Sequence, residues 1–181
     1  ILVNAARQLL PTDVMDPEDT SVMALLELNL MTALQLSQQV AKRMIKQAEG
    51  QVDGQVGSII NLSSIAARQI QPELMGYSIA TAALDQATRS LAVAMAPNRI
   101  RVNGVAFGSV MSASLKDSLN ETDGLRKEIR GCTPLGRIAS AREVTAAVQF
   151  LASDGAGFVT GEILTVDGGR TLVDAVTKAA H

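Results

Sequence analysis

Few side chains in this sequence can exchange a proton near neutral pH. Among its 181 residues there is one histidine, His181, one cysteine, Cys132, and one tyrosine, Tyr77. A terminal histidine and a single cysteine form no ligand cluster, so the sequence predicts no metal site and no histidine-based catalysis. A single thiol cannot form a disulfide within the chain, which favours a cytoplasmic location. The free side chain of a tyrosine has an ordinary pKa of about 10.

Two residues with hydroxyl side chains, Ser64 and Thr81, lie close to Tyr77 in the sequence. Tyr77 opens a predicted helix that runs to about Ala96, and Thr81, four residues on, shares its helical face. Ser64 lies 13 residues before Tyr77, just after a predicted strand. Taken singly, Ser64 suits a loop serine and Tyr77 suits a packing residue with a hydrogen-bonded hydroxyl. A chemical role requires that the fold bring them together.

The elements that must position these residues alternate along the chain. Short apolar runs predict buried strands, and longer segments with helical spacing separate them. The pattern predicts an α/β fold, with a parallel sheet covered by helices on both faces. The predicted strands cover residues 1–3, 58–62, 100–106 and 162–166, and the predicted helices cover residues 16–48, with a break near Asn29, 77–96 and 140–152.

Composition excludes several other classes of protein. A hydrophobic content of 47% and a mean hydropathy of +0.20 are sufficient for a sizeable core and argue against disorder. The net charge is −2, aromatic residues make up 2%, and no long basic run occurs, so no nucleic-acid partner is predicted. No apolar run reaches the roughly 18 residues that suggest a membrane helix, so no membrane partner is predicted.

The helix predicted over 77–96 is apolar or small nearly all round, as at Ile79, Ala83, Leu91 and Val93. Such a helix is buried on every side. One side can pack on its own sheet, and we expect the other to face a second copy of the chain. The alternative is a core helix of a monomer.

Several segments, each weak alone, resemble one known family when taken in order and at their spacing. They resemble the short-chain dehydrogenase/reductases, and within them the 3-oxoacyl-acyl-carrier-protein reductases. The segments are Val3-Asn4-Ala5-Ala6, Asn29, Ser64 with Tyr77, residues 77–81 at a Tyr-x-x-x-Lys motif, residues 100–105, residues 107–112 at a Pro-Gly-x-Val-x-Thr loop, residues 133–137 and residues 160–169.

The resemblance implies a Rossmann-like, doubly wound fold. It covers the carboxyl-terminal two-thirds of that fold, as one domain over residues 1–181 that lacks the first βαβ units. The family's Gly-rich phosphate loop is absent, and Gly54-Gln55-Val56-Gly57 does not replace it because it precedes a strand instead of joining a strand to a helix. The chain also opens at Ile1 in a strand-like run, so we expect further residues upstream in the natural protein.

The resemblance also implies roles for individual residues. Tyr77 would move the proton, Ser64 would bind the substrate oxygen, and Asn29 would hold a water molecule in a proton relay. The cofactor would be NADP or NAD, and the substrate a small ketone or secondary alcohol, with a 3-oxoacyl thioester as one candidate. The assembly would be a homodimer or homotetramer. The cofactor-binding residues implied are Asn4, Ala5, Ala6, Tyr77, Phe107, Gly108, Val110 and Ser112.

The sequence departs from the family at three of these positions. Thr81 replaces the family's lysine, whose charge favours the ionised tyrosine and which binds the nicotinamide ribose; a threonine carries no charge. Ala6 replaces a glycine and Phe107 replaces a proline. Two hypotheses follow: an oxidoreductase with weakened acid–base chemistry, or a catalytically impaired homologue that acts as a cofactor-binding or structural subunit. A lysine or arginine from elsewhere in the chain, with Arg68 and Lys116 as candidates, would restore the missing charge.

Three smaller features have simpler interpretations. Residues 111–119 suit either a substrate lid or a surface helix. Arg137 is expected to form a structural ion pair. Asp167-Gly168-Gly169 predicts a turn.

Overall fold

Four parallel strands form one sheet in the computed structural model, which describes residues 1–174; His181 lies outside them. Their order in the sheet follows the chain: β1 (Leu2–Asn4), β2 (Gly57–Ser64), β3 (Ile100–Phe107) and β4 (Ile163–Val166). Each predicted strand is confirmed to within two residues at either end. The register pairs Asn4 with Asn61 and Ser64 with Phe107, so these residues lie near the carboxyl edge of the sheet.

Helices separate the strands, as the sequence predicts. The predicted helix with a break is confirmed, because a π-helical turn at Leu26–Met31 interrupts it at Asn29. Residues 107–135 contain two short helices, also as expected. The helices are α1 (Ser21–Leu25), α2 (Thr32–Gln47), α3 (Met75–Met95), α4 (Ala113–Glu121), α5 (Leu125–Gly131) and α6 (Ala141–Ala152).

The predicted helix start at Asp16 is wrong, because α1 begins only at Ser21. Three aspartates precede it, and each accepts a hydrogen bond from the backbone amide two residues further on: Asp13 from Met15, Asp16 from Glu18 and Asp19 from Ser21. Such Asx turns compete with helical hydrogen bonding, which explains the delay.

Apolar side chains cover both faces of the sheet. On one face Ile59 and Val102 pack against α2 and α3. On the other face Ile60 and Val105 pack against Val144 and Leu151 of α6. The alternation of neighbouring residues between the faces follows from the period of two of a strand. The α/β prediction is therefore confirmed.

An arginine on the second face joins β3 to the end of α6. Arg101 is buried and donates hydrogen bonds to the backbone carbonyls of Leu151, Ser153 and Val159, and to the side chain of Gln55. The carbonyls at a helix C-terminus lack intrahelical donors, so this guanidinium satisfies them.

The side of α3 away from the sheet is partly exposed in the single chain. Ile79 is 42% exposed and Val93 is 76% exposed. The expected second copy of the chain on this side stays a prediction. Among residues 1–174, no helix is both long enough and apolar enough to cross a membrane.

Candidate active site

Segment 5–8, which follows β1, connects several of the predicted site residues. The phenol oxygen of Tyr77 accepts a hydrogen bond of 3.0 Å from Nη1 of Arg7. The guanidinium carbon of the same arginine lies 4.4 Å from the centroid of the Phe107 ring. Phe107 in turn pairs with Ser64 across β2 and β3. The structure therefore brings Tyr77, Phe107 and Ser64 to one end of the sheet, as expected for parallel strands.

Close packing sets the position of Tyr77 at the start of α3. Tyr77 is 3% exposed and belongs to the cluster that includes Leu25 and Ala66. The preceding Gly76 faces α1 so closely that a Cβ there would lie 3.1 Å from the Cα of Val22. A glycine at this point thus allows α1 to pack directly on the turn that carries Tyr77.

Thr81 is buried one turn after Tyr77, and its hydroxyl is used within its own helix. Oγ1 donates to the backbone carbonyls of Tyr77, at 2.9 Å, and Ser78, at 3.1 Å. Threonine commonly bonds to the carbonyl one turn back in this way. Thr81 therefore supplies neither a charge nor a free hydroxyl proton at the position where the family has lysine.

Ser64 ends β2 and caps the 3-10 turn Ile65–Ala67 that follows. Its Oγ accepts a 3.2 Å hydrogen bond from the amide of Ala66. A hydroxyl that accepts through its oxygen can still donate its proton. Ser64 is therefore held in place by its backbone while its proton stays available for another oxygen.

Asn29 lies in the π-helical turn and holds segment 5–8 in place. Its Oδ1 accepts from the amide of Gln8, and its Nδ2 donates to the carbonyl of Gln8, both at 2.7 Å. The sequence suggested a water-holding role for this residue. That role stays a prediction, and the structure adds a two-point contact with Gln8, the residue beside Arg7.

The proposed cofactor residues are not all at an open surface. Asn4 is buried and donates to Oδ1 of Asn61, at 2.8 Å, and to Oγ of Ser37, at 3.0 Å. Asn61 donates onward to Thr88 on α3, at 2.9 Å. This network connects β1, β2, α2 and α3, so the side chain of Asn4 acts within the fold. The members of this network are distant in sequence, so no local pattern predicts it.

The other proposed cofactor residues follow β1 and β3. Ala5 and Ala6 are exposed, with only methyl groups beyond the backbone. Gly108 donates its amide to Val166, Val110 forms an isolated bridge with Ala139, and Ser112 caps α4 by accepting from the amide of Leu115. Segment 108–112 thus runs from the end of β3 to the start of α4.

The cation beside Tyr77 is not one of those named from the sequence. Arg68 is exposed and donates to Oγ1 of Thr165, at 2.8 Å, and Lys116 is exposed on α4. The residue that reaches the phenol is Arg7. Its position three residues after β1 was a usable signal, because the carboxyl ends of neighbouring parallel strands lie together.

The remaining charged groups have local roles. Burial raises the pKa of Asp85, which lies on α3 one turn beyond Thr81. Arg137 forms the expected ion pair with Glu143, at 2.6 Å, and its hydrogen bonds lower the pKa of Glu143 to about 2. The predicted turn at Asp167 is present, because its carboxylate accepts from the amides of Gly169 and Thr171. Within residues 1–174 no metal-binding cluster of His, Cys, Asp or Glu occurs.

Two surface cavities lie away from the phenol. One, of about 600 Å³, is bordered by Arg68, Thr133 and Asp167, and the other, of about 710 Å³, by Arg99 and Phe158. Neither is lined by Ser64 or Tyr77, so size alone does not locate the chemistry. The hydrogen bond between Arg7 and Tyr77, beside the ends of β1, β2 and β3, is a better guide.

Comparison with known proteins identifies the family of the chain. The family profile described as enoyl-(acyl carrier protein) reductase matches residues 1–171. A cis-4-hydroxycyclohexanecarboxylate dehydrogenase of Sinomonas cyclohexanicum is 43% identical over 120 residues, which make up 65% of this chain and 46% of that protein. The 3-oxoacyl-[acyl-carrier-protein] reductase FabG of Chlamydia trachomatis is 38% identical over 113 residues, 62% of this chain and 44% of that protein.

A solved structure shares the fold. The gluconate 5-dehydrogenase of Burkholderia cenocepacia, in complex with NADP and tartrate, superposes with a TM-score of 0.84 at 29% identity, over 96% of this chain and 65% of that one. Fold and sequence together define an α/β protein of the Rossmann-like class. The chain belongs to the short-chain dehydrogenase/reductase family, as its motifs predict. It spans about half to two-thirds of the length of these three proteins.

Proposed function

We propose that this chain carries the catalytic part of a nicotinamide-dependent oxidoreductase that interconverts a ketone and a secondary alcohol. The observation that carries the proposal is the placement of the Tyr77 phenol and the Ser64 hydroxyl at the carboxyl edge of a parallel sheet. Ligands of open α/β sheets bind at that edge. Membership of a family that includes dehydrogenases and reductases of such groups supports the same activity.

Each hydroxyl has a separate role in this proposal. A nicotinamide, when bound, would supply the hydride for the carbonyl carbon or accept it from that carbon. In the reducing direction Ser64 donates a hydrogen bond to the carbonyl oxygen and fixes its position. Tyr77 then transfers its phenolic proton to that oxygen, which gives the alcohol and leaves a phenolate. Asn29 holds segment 5–8, and through it Arg7, against the site.

The residues present suit the nicotinamide end of NADP or NAD. Ala5 and Ala6 expose backbone and methyl groups where β1 ends, and segment 108–112 provides a second border where β3 ends. A Gly-rich phosphate loop between a strand and a helix does not occur among the 181 residues. We therefore assign only the nicotinamide contacts to this chain, through Ala5, Ala6, Tyr77, Phe107, Gly108, Val110 and Ser112.

The substrate we propose is a small carbonyl compound or the corresponding alcohol, with a 3-oxoacyl thioester as one candidate. The partly exposed apolar side of α3, at Ile79 and Val93, favours a homodimer or homotetramer. With one cysteine in the chain, we further propose a cytoplasmic location.

One observation favours a second function. Because the hydroxyl of Thr81 is bonded to its own helix, the lysine of the family has no functional equivalent at that position. The alternative is thus a homologue with impaired catalysis, which acts as a cofactor-binding or structural subunit.

The two functions separate in a binding and turnover experiment. The protein would be titrated with NADPH and then NADH by calorimetry, and nicotinamide absorbance would be followed with a panel of ketones and secondary alcohols. Micromolar binding with substrate-dependent turnover that Tyr77→Phe abolishes is the expected result. Binding without turnover over the whole panel, from neutral to alkaline pH, would contradict the oxidoreductase and support the impaired homologue.

A further inference from the structure

We propose that Arg7 supplies the positive charge at the Tyr77 phenol that Thr81 does not supply. The inference rests on the proposed function for its catalytic meaning. The stabilisation of the Tyr77 phenolate by a neighbouring cation does not depend on any substrate. Arg7 would then be a positioning residue that acts through Tyr77.

In the hydrogen bond between Arg7 and Tyr77, the arginine is the donor. A guanidinium has donors and no acceptor, so in the 3.0 Å contact Arg7 donates and the phenol oxygen accepts. The phenolic proton must then point elsewhere. It stays available for a substrate oxygen, and when it leaves, a charged donor already lies on the oxygen that becomes negative.

Two neighbouring contacts hold Arg7 beside the phenol. Its guanidinium lies over the ring of Phe107, which is itself buried, and such a cation–π contact limits the freedom of the side chain. The neighbouring Gln8 is held at both its amide and its carbonyl by Asn29. Among residues 1–174 no carboxylate forms an ion pair with Arg7, so its charge is not neutralised there.

The other charged groups on the elements around Tyr77 are placed differently. Glu27, in the π-helical turn, and Glu73, just before α3, are exposed. Arg68 donates to Thr165. On α3 itself, Asp85 and Arg89 lie two or more turns beyond Tyr77. Within the described residues, Arg7 is the charged group that hydrogen-bonds to the phenol oxygen.

The size of the effect follows from distance and exposure. An opposite charge within roughly 4–6 Å shifts an ionisation equilibrium by about 10- to 1000-fold. Arg7 is exposed at its outer side, where water screens its charge, so we expect the lower part of that range. An arginine stays charged at every pH at which an enzyme works, so the contribution is constant.

The test uses the tyrosine itself as the probe. The chain contains one tyrosine and no tryptophan, so the ultraviolet absorbance of tyrosinate reports Tyr77, with the spectrum of Tyr77→Phe subtracted. Wild type, Arg7→Gln, Arg7→Lys and Arg43→Gln would be titrated with base, and circular dichroism would verify the fold at each step. Arg43→Gln is the matched control, because Arg43 is exposed on α2.

We expect the ratio of phenolate to phenol in Arg7→Gln to be on the order of tenfold lower than in wild type at the same alkaline pH. Arg7→Lys and Arg43→Gln should stay close to wild type. Equal titration of wild type and Arg7→Gln, with the fold retained, would overturn the inference. A check without variants is salt: high ionic strength should lower the phenolate fraction of wild type, and no change would count against the inference.

This experiment needs neither cofactor nor substrate, so its outcome is separate from that of the proposed function. A tenfold difference in phenolate in a protein without turnover would retain the role of Arg7 and reject the oxidoreductase. Turnover with no difference in phenolate would do the reverse.

Discussion

Two arginines contact the same sheet and use their donors in different ways. Arg101, near the start of β3, is buried and gives its hydrogen bonds to three backbone carbonyls and one amide oxygen. Arg7, beyond the end of β1, gives one hydrogen bond to a phenol and lies over an aromatic ring. A guanidinium whose donors are satisfied by backbone is part of the fold. One that meets a proton-bearing hydroxyl at the ligand edge is available for chemistry.

Charge and solvent sharpen the contrast between the two. Burial lowers the pKa of Arg101, an effect that the nearby Asp154 partly offsets, and an arginine stays charged near neutral pH. Arg7 has an exposed outer side, and its partner Tyr77 is buried. At the amino end of the sheet, the donors of Arg101 are used by backbone and side-chain oxygens within the fold. At the carboxyl end, Arg7 and Tyr77 retain polar atoms that can form further hydrogen bonds.

The largest expected effect comes from removing the partner of Arg7. Tyr77→Phe deletes one oxygen from a buried ring, so the packing of α3 is kept while the proton donor is lost. We expect kcat to fall by about 10² to 10⁴, a larger loss than the loss of cofactor affinity. Steady-state kinetics with calorimetry measures both. Retention of most of the wild-type kcat would remove Tyr77 from the proton-transfer role.

Arg101→Gln should act on stability instead of chemistry. It leaves the carbonyls at the end of α6 without their donor, which costs on the order of 2–3 kcal/mol for buried groups. Chemical denaturation should show this loss, and turnover per folded molecule should match wild type. A loss of turnover in the folded variant would break the division between the two arginines.

Thr81→Lys tests whether the two cation positions are equivalent. If Arg7 already supplies the charge, the substitution should raise kcat/KM less in wild type than in Arg7→Gln, where we expect a gain of roughly tenfold. The comparison is a double-mutant cycle on kcat/KM at neutral pH. Equal gains in both backgrounds would show that the two positions act independently. Thermal melts control for the cost of placing a lysine in a buried position.

The smallest expected effect concerns a third arginine, Arg137, which pairs with Glu143 at the exposed start of α6. Hydrogen bonds from Arg137 and from Ser140 lower the pKa of Glu143 from 4.5 to about 2. Because the pKa of Glu143 is lowered in the folded protein, its ionised carboxylate stabilises the fold at pH values above about 4.5. This stabilisation is lost as the pH falls from about 4.5 towards 2. Glu143→Gln should therefore lower Tm slightly near neutral pH, and the difference should disappear on acidification.

A control for this effect is Glu121→Gln, in the exposed α4, which should leave Tm unchanged at both pH values. A difference between wild type and Glu143→Gln that grew as the pH fell would contradict the assignment of the pair.

The elements of the fold could be predicted because their signals are local. Alternating apolar runs predicted four strands, and the capping box Ser140-x-x-Glu143 predicted the start of α6. The helix start at Asp16 could not be placed, because Asx turns and helix starts use the same residue types. The family's serine-to-tyrosine spacing predicted that Ser64 and Tyr77 belong to one site, because both residues occupy positions in the family's motifs.

Contacts between distant segments were beyond the reach of the sequence. Arg7 lies 70 residues from Tyr77. Its position just after a strand is a signal that Arg68 shares, so this signal alone did not select Arg7. The Asn4–Asn61–Thr88 network likewise depends on the register of β1 with β2. Such pairs become visible only when the strand order is known.

The most direct test of the role proposed for Arg7 at the Tyr77 phenol is the pH dependence of kcat/KM for alcohol oxidation in wild type and Arg7→Gln. In this direction the phenolate of Tyr77 accepts the proton, so a cation beside it matters most where little phenolate would otherwise form. If Arg7 stabilises the phenolate, kcat/KM of Arg7→Gln is lower than that of wild type by on the order of tenfold at neutral pH, and the deficit closes as the pH rises. A deficit that is the same at every pH, or none at all, would contradict it.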